Sequence, residues 1–245
     1  MGSLAEEIKD HVKDGRKPRI LCLHGFRTSG EIMRRQVIGK WPATVTSRLD
    51  LIFPDAPCPA AGKSDVEGFF DPPYYEWFQS DEDYMHYVNL DECFEFIEDL
   101  MIKHGPIDGL MGFSQGAILS AALAGMQEKG LALTRVPKLK FVVIIGGAKF
   151  PSPTVAEKAY STKISCPSLH FIGAEDFLNS HGKILLESFV DPLVIHHPKG
   201  HTVPRLDPKN EEMTMGFIDK IEKTLTSLDA PKDEQEEQEE HTILV

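Results

Sequence analysis

Apolar residues in this chain follow two repeating patterns. Short apolar runs closed by glycine, proline or histidine alternate with longer stretches in which apolar positions recur every three or four residues. The runs read as strands buried on both faces, and the longer stretches as helices with one apolar stripe. Arg19-Ile20-Leu21-Cys22-Leu23 is the first run and ends in His24-Gly25-Phe26. Residues 31–41 predict a helix that stops before Pro42, and Leu49-Asp50-Leu51-Ile52-Phe53 predicts a strand ending at Pro54. Leu90, Cys93, Phe94, Ile97, Leu100 and Met101 line one face of a helix that ends near His104-Gly105-Pro106. Further strands are predicted at 107–111, 141–145, 168–172 and 192–196, a helix at 117–126, and a last helix lined by Phe217, Ile218, Ile221 and Leu225. This alternation implies an α/β fold: a mostly parallel central sheet with helices on both faces.

Residues 56–83 break the pattern. They are rich in proline, glycine and aromatic residues without a sustained period, which predicts an irregular segment outside the central sheet. Tyr74, Tyr75, Trp77 and Phe78 on this segment are candidate substrate-binding residues if it covers a crevice, and ordinary packing residues if it docks into the core.

The chemistry starts at Gly112-Phe113-Ser114-Gln115-Gly116, a G-x-S-x-G between an apolar run and a helical one. That context predicts a sharp strand-to-helix turn which projects the Ser114 hydroxyl into a cleft. A serine attacks at neutral pH only when a base takes its proton, and an imidazole does so best when a carboxylate fixes its tautomer. In open α/β sheets such partners sit just beyond the carboxyl ends of strands. Asp176 follows the run ending at Gly173, with Glu175 as the one-residue alternative, and His201 follows the last strand in Lys199-Gly200-His201-Thr202-Val203-Pro204. The order Ser114, Asp176, His201 suits this fold. Backbone N–H groups of Gln115, at a helix start, and Phe26, after the first strand, are the candidate oxyanion donors. His24 reads as a residue that orients the loop, His181 as exposed at a helix start, and the adjacent His196 and His197 as pointing to opposite faces.

With the elbow, the Leu23-His24-Gly25-Phe26 loop, Asp176 and Gly200-His201-Thr202-Val203-Pro204 in one order, the chain resembles the FSH family of serine hydrolases, within the α/β-hydrolase superfamily. The likeness runs from about Pro18 to about Leu225 and takes in Phe53-Pro54-Asp55-Ala56-Pro57 and Tyr74-Tyr75-Glu76-Trp77-Phe78. It implies an esterase or thioesterase of cytoplasmic location with triad Ser114, Asp176 and His201, oxyanion donors Phe26 and Gln115, and neither cofactor nor metal. Members of this family often carry a label borrowed from folate reduction, and no nicotinamide fingerprint stands in this sequence.

Composition narrows the range of partners. The 245 residues suit one domain, and a formal charge of -12 argues against a nucleic-acid surface. Much of that charge lies near the C-terminus, which divides the chain into a polar leader (1–17), a hydrolase domain (18–228) and an acidic tail (229–245) expected to be disordered. Four cysteines without C-x-x-C spacing predict neither a metal nor a disulfide framework. No apolar stretch reaches the roughly 18 to 20 residues needed to span a bilayer, Glu6 stands where an N-myristoylation motif wants Ser or Thr, and the terminal Ile243-Leu244-Val245 reads as an ordinary apolar chain end. The expected partner is a small acyl ester or thioester, with no nucleic acid and no membrane. A binding protein on a hydrolase scaffold and a protein deacylase are the alternatives.

Overall fold

The computed structural model describes residues 16–229. Most of the leader, the tail beyond Asp229, Glu6 and Ile243-Leu244-Val245 lie outside the described residues. In chain order the elements are β1 (Arg19–Leu23), α1 (Gly30–Lys40), α2 (Ala43–Thr46), β2 (Asp50–Ile52), β3 (Cys58–Pro59), β4 (Tyr75–Glu76), β5 (Gln79–Ser80), β6 (Tyr87–Val88), α3 (Leu90–His104), β7 (Gly109–Phe113), α4 (Gln115–Glu128), β8 (Phe141–Ile145), α5 (Pro153–Tyr160), β9 (Ser168–Gly173), α6 (Asn179–Leu186), β10 (Leu193–His197) and α7 (Pro208–Asp229).

The central sheet has six strands in the order β10-β9-β8-β7-β1-β2, every pair parallel. Alternating side chains enter two cores. Leu21, Leu23, Leu110, Val142 and Ile144 face α3, α4, α5 and α6, whereas Ile20, Cys22, Met111, Val143 and Ile145 face α1 and α7. Both faces are therefore covered, which is why the strand runs lack polar alternation. The 56–83 segment stays out of this sheet as expected, but it is not wholly irregular. Cys58–Pro59 pairs antiparallel with Tyr75–Glu76, and Gln79–Ser80 with Tyr87–Val88. Ladders of two residues are too short to leave a periodic trace in sequence.

Helix α4 positions the serine. It is buried on nearly every side, and its N-terminus sits directly on the ends of β7 and β1. A methyl group on Gly112 would lie 2.1 Å from the Gly116 carbonyl oxygen, and one on Gly116 would lie 2.0 Å from that of Leu23. Only glycine allows this approach. Gly116→Ala is therefore expected to push α4 off β1, destabilising the fold by about 1–3 kcal/mol or more; urea unfolding of the two proteins measures it.

Candidate active site

Because the strands are parallel and in register, their carboxyl ends meet along one edge: Leu23 pairs with Gly112, Phe113 with Ile145, Ile145 with Phe171, and Gly173 with His197. Ser114, Asp176, His201 and the 24–29 loop all follow these ends.

Ser114 occupies φ +55°, ψ -116°, a strained conformation for a residue with a side chain. Its N–H donates to Ile145 O at 3.0 Å, and its carbonyl accepts from Ala117 and Ile118 at 2.9 and 3.0 Å, so the turn is pinned to β8 on one side and starts α4 on the other. Gly25 lies against it: a Cβ there would meet the Phe113 ring at 3.1 Å and Ser114 Cβ at 3.4 Å. The N–H groups of Phe26 and Gln115 donate to no acceptor among the described residues. The Phe26 side chain is exposed, with the Arg27 guanidinium 4.6 Å from its ring centroid.

His201 Nδ1 stands 3.0 and 2.9 Å from the two Asp176 carboxylate oxygens. A carboxylate can only accept, so Nδ1 carries the proton and Nε2 of the neutral ring is left as an acceptor. That Nε2 is buried and has no partner among the described residues. The imidazole lies against the rings of Phe113 and Phe177, both tilted to it, with centroids 4.9 and 4.5 Å away. A Cβ on Gly146 would meet its Cε1 at 2.9 Å and Asp176 Oδ2 at 3.1 Å. Ser114 is bonded to Ile145 and His201 rests on Gly146, so neighbouring residues at one strand end hold both. No hydrogen bond joins the hydroxyl to the imidazole here; in sites without substrate such bonds are often long. Asp176 is buried and also accepts from Leu178 N at 2.8 Å, whereas the alternative acid Glu175 is exposed to solvent. Lys40 of α1 steadies the histidine loop by donating to Thr202 Oγ1 at 2.6 Å and Val203 O at 2.8 Å.

Of the aromatic candidates, Tyr74 and Tyr75 are half-buried and the Tyr74 hydroxyl donates to Phe70 O. Trp77 and Phe78 lie in the core, with Phe78 against Phe150 and Tyr87. Trp77 is 0% exposed, so its ring packs rather than offering surface to a ligand. Trp77 and Phe78 thus take the packing alternative in this structure: rings on a docking loop bury themselves wherever the core has room. Phe177, 72% exposed with its ring tilted against that of His201, is in sequence one phenylalanine in a loop and carries no motif that marks it.

His24 is fully buried. Ala56 N donates to its Nε2 at 3.0 Å, which places the proton on Nδ1, where it is donated to Gly25 O at 2.8 Å. It is thus a satisfied residue that shapes the Phe26 loop. His181 is exposed in the first turn of α6, and His196 and His197 point to opposite faces, one exposed and one buried. Among the described residues no group of three or more His, Cys, Asp or Glu side chains is placed to hold a metal ion, and no helix is long and apolar enough to cross a membrane.

A family model described as Serine hydrolase (FSH1) matches residues 13–213. A dihydrofolate reductase of Schizosaccharomyces pombe is 32% identical over 204 residues, covering 76% of this chain but only 44% of that protein, so its name describes a much longer polypeptide. Esterase OVCA2 of Danio rerio is 30% identical over 209 residues, covering 76% of this chain and 90% of the esterase. Among solved structures, Zea mays acyl-protein thioesterase 2 superposes with a TM-score of 0.57 at 20% identity, covering 85% of this chain and 95% of that one, a likeness of fold.

Burial sets the acid sensitivity of this architecture. It lowers the His24 pKa to about 4, against the raising effects of the Gly25 carbonyl and Asp55, and lowers that of His170 on β9 to about 3. Unfolded histidines titrate near 6.5. Between that value and the folded ones the unfolded chain binds protons that the folded chain refuses. Stability from these neutral histidines is thus complete above about pH 6.5 and is lost as pH falls toward 4. Each should remove up to about 1.4 kcal/mol per pH unit in that window. Urea unfolding at pH 7, 6 and 5 checks this, and His170→Leu should show a shallower fall.

Proposed function

Since the chain belongs to the FSH1 serine hydrolase family, we propose that it hydrolyses a small carboxylic ester or thioester through an acyl-Ser114 intermediate, within a single hydrolase domain spanning 18–228 and in the cytoplasm. The observation that carries this reading is the Asp176–His201 pair, which leaves the imidazole Nε2 as a buried, unoccupied acceptor beside the elbow.

In this reaction Ser114 Oγ bonds to the carbonyl carbon as its proton passes to His201 Nε2. The oxyanion that forms takes the free N–H groups of Phe26 and Gln115, the second at the positive end of α4. Collapse breaks the bond to the alcohol or thiol, which leaves with the proton from His201. Water then gives a proton to the same nitrogen as it attacks the acyl carbon, and collapse breaks the bond to Ser114 Oγ, which takes the proton back from His201 as the acid leaves. Asp176 holds the ring in the required tautomer and stabilises the imidazolium at each step. No cofactor enters the scheme.

One observation favours acyl groups on proteins as a second substrate class. Phe26 and Phe177, beside the proposed site, are 45% and 72% exposed, so a large substrate could reach these rings without displacing a buried segment. Turnover of an acylated peptide faster than of the matching aryl ester would favour this class.

A fluorophosphonate should label Ser114 covalently, and an activated aryl ester should give a burst; an unreactive serine would favour a binding protein instead. Ser114→Ala, His201→Ala and Asp176→Asn should each lower turnover by about 10³-fold or more while the protein stays folded, and a double variant should resemble its worse parent because the groups act as one unit. Additive losses, or full activity in Asp176→Asn, would overturn the assignment.

A further inference from the structure

The two proposed oxyanion donors, Phe26 on the loop after β1 and Gln115 at the start of α4, lie far apart in sequence, and one buried network joins them. The Gln115 side chain does not reach the crevice edge. It is buried, its Oε1 accepting from Trp77 N at 3.0 Å and its Nε2 donating to Phe78 O at 2.8 Å. The amide thus pairs with two successive main-chain positions as a neighbouring strand would. The Trp77 indole continues the connection: Nε1 donates to His24 O at 2.9 Å, and its ring lies 5.1 Å from the His24 imidazole. His24 is in turn held by Ala56 and bonded to Gly25, the residue before Phe26.

We propose that the Trp77 indole and the Gln115 side-chain amide are positioning groups that fix the spacing of the Phe26 and Gln115 N–H donors, so that the aromatic segment braces the oxyanion site from behind. This rests on the serine mechanism proposed above and adds how its electrostatic component is held in place. Preorganisation is what makes such donors effective, since they must already point at the developing charge. The choice of side chain follows from the chemistry. One group must accept from Trp77 and donate to Phe78 at the same distance from the backbone, which a glutamine amide does, a carboxylate does only when protonated, and a thioether does not.

The test uses the full chain with a soluble aryl ester. Trp77→Phe removes the indole N–H while keeping a ring, and Gln115→Met removes both amide bonds at similar volume. Each should lower kcat by about 10- to 100-fold with KM changed by less than about threefold, as expected for small displacement of transition-state donors. An aryl trifluoromethyl ketone, whose adduct places an oxyanion in the same site, should weaken in proportion to kcat/KM. Gln115→Glu adds a signature that simple loosening of the fold would not produce: its rate relative to wild type should recover as pH falls and the carboxyl gains the proton it needs to donate to Phe78 O.

Wild-type kcat in the folded Trp77→Phe and Gln115→Met proteins, or a rate loss with unchanged ketone affinity, would overturn the brace while an inactive Ser114→Ala left the serine mechanism standing. A fully active Ser114→Ala would overturn both.

Discussion

The N-terminus of α4 lies so close against the ends of β7 and β1 that neither Gly112 nor Gly116 has room for a single methyl group. That contact makes the Ser114 conformation possible. A residue at φ +55°, ψ -116° costs on the order of 1–3 kcal/mol and persists only where its surroundings over-determine it. Here they do: the Ser114 N–H is held by β8, its carbonyl starts the α4 ladder, and α4 is buried along its length. Relaxing the serine would mean withdrawing a core helix, so the burial of α4 offsets the local strain.

The same arrangement governs the charged partners. Asp176 is almost wholly withdrawn from water, which would be unfavourable for a carboxylate without donors. It has Leu178 N–H and His201 Nδ1–H, and Gly146 permits the imidazole to approach because it carries no side chain. Lys40 then holds the loop on the far side of His201, so the ring is constrained by β8, β9 and α1 together. A histidine fixed in this way keeps one nitrogen committed to the carboxylate and the other open, an asymmetry that a solvated imidazole lacks.

The parts of this arrangement that depend on local pattern could be read from the chain. The elbow announces itself because strand, glycines, serine and helix are contiguous, and the positions of Asp176 and His201 follow once strands at 168–172 and 192–196 are recognised. The structure separates Asp176 from Glu175 by burial, which adjacent acidic residues do not reveal in sequence. Helix α5, only eight residues long, was not distinguished from its loop. The aromatic segment was ambiguous for a different reason: rings docking into a core and rings lining a crevice have the same composition. The role of the Gln115 side chain was hidden because its partners are main-chain groups 38 and 37 residues away, which every residue possesses and no motif records.

The placement of Trp77 also bears on access to the serine. A lid must leave its closed position at little cost, but moving this segment would break the Trp77 bonds to Gln115 and His24 and expose an indole that is now 0% accessible. Such a segment belongs to the stable part of the molecule rather than to its low-stability loops. In the proposed reaction Phe26 and Phe177 are exposed apolar surface open to a substrate. One follows β1 on the loop that would carry an oxyanion donor, and the other is the residue after Asp176, its ring tilted against that of His201. An acyl group resting on these rings would press on the same loops that set the reacting geometry. Recognition and rate would therefore be coupled through two short loops rather than divided between a catalytic centre and a separate cap.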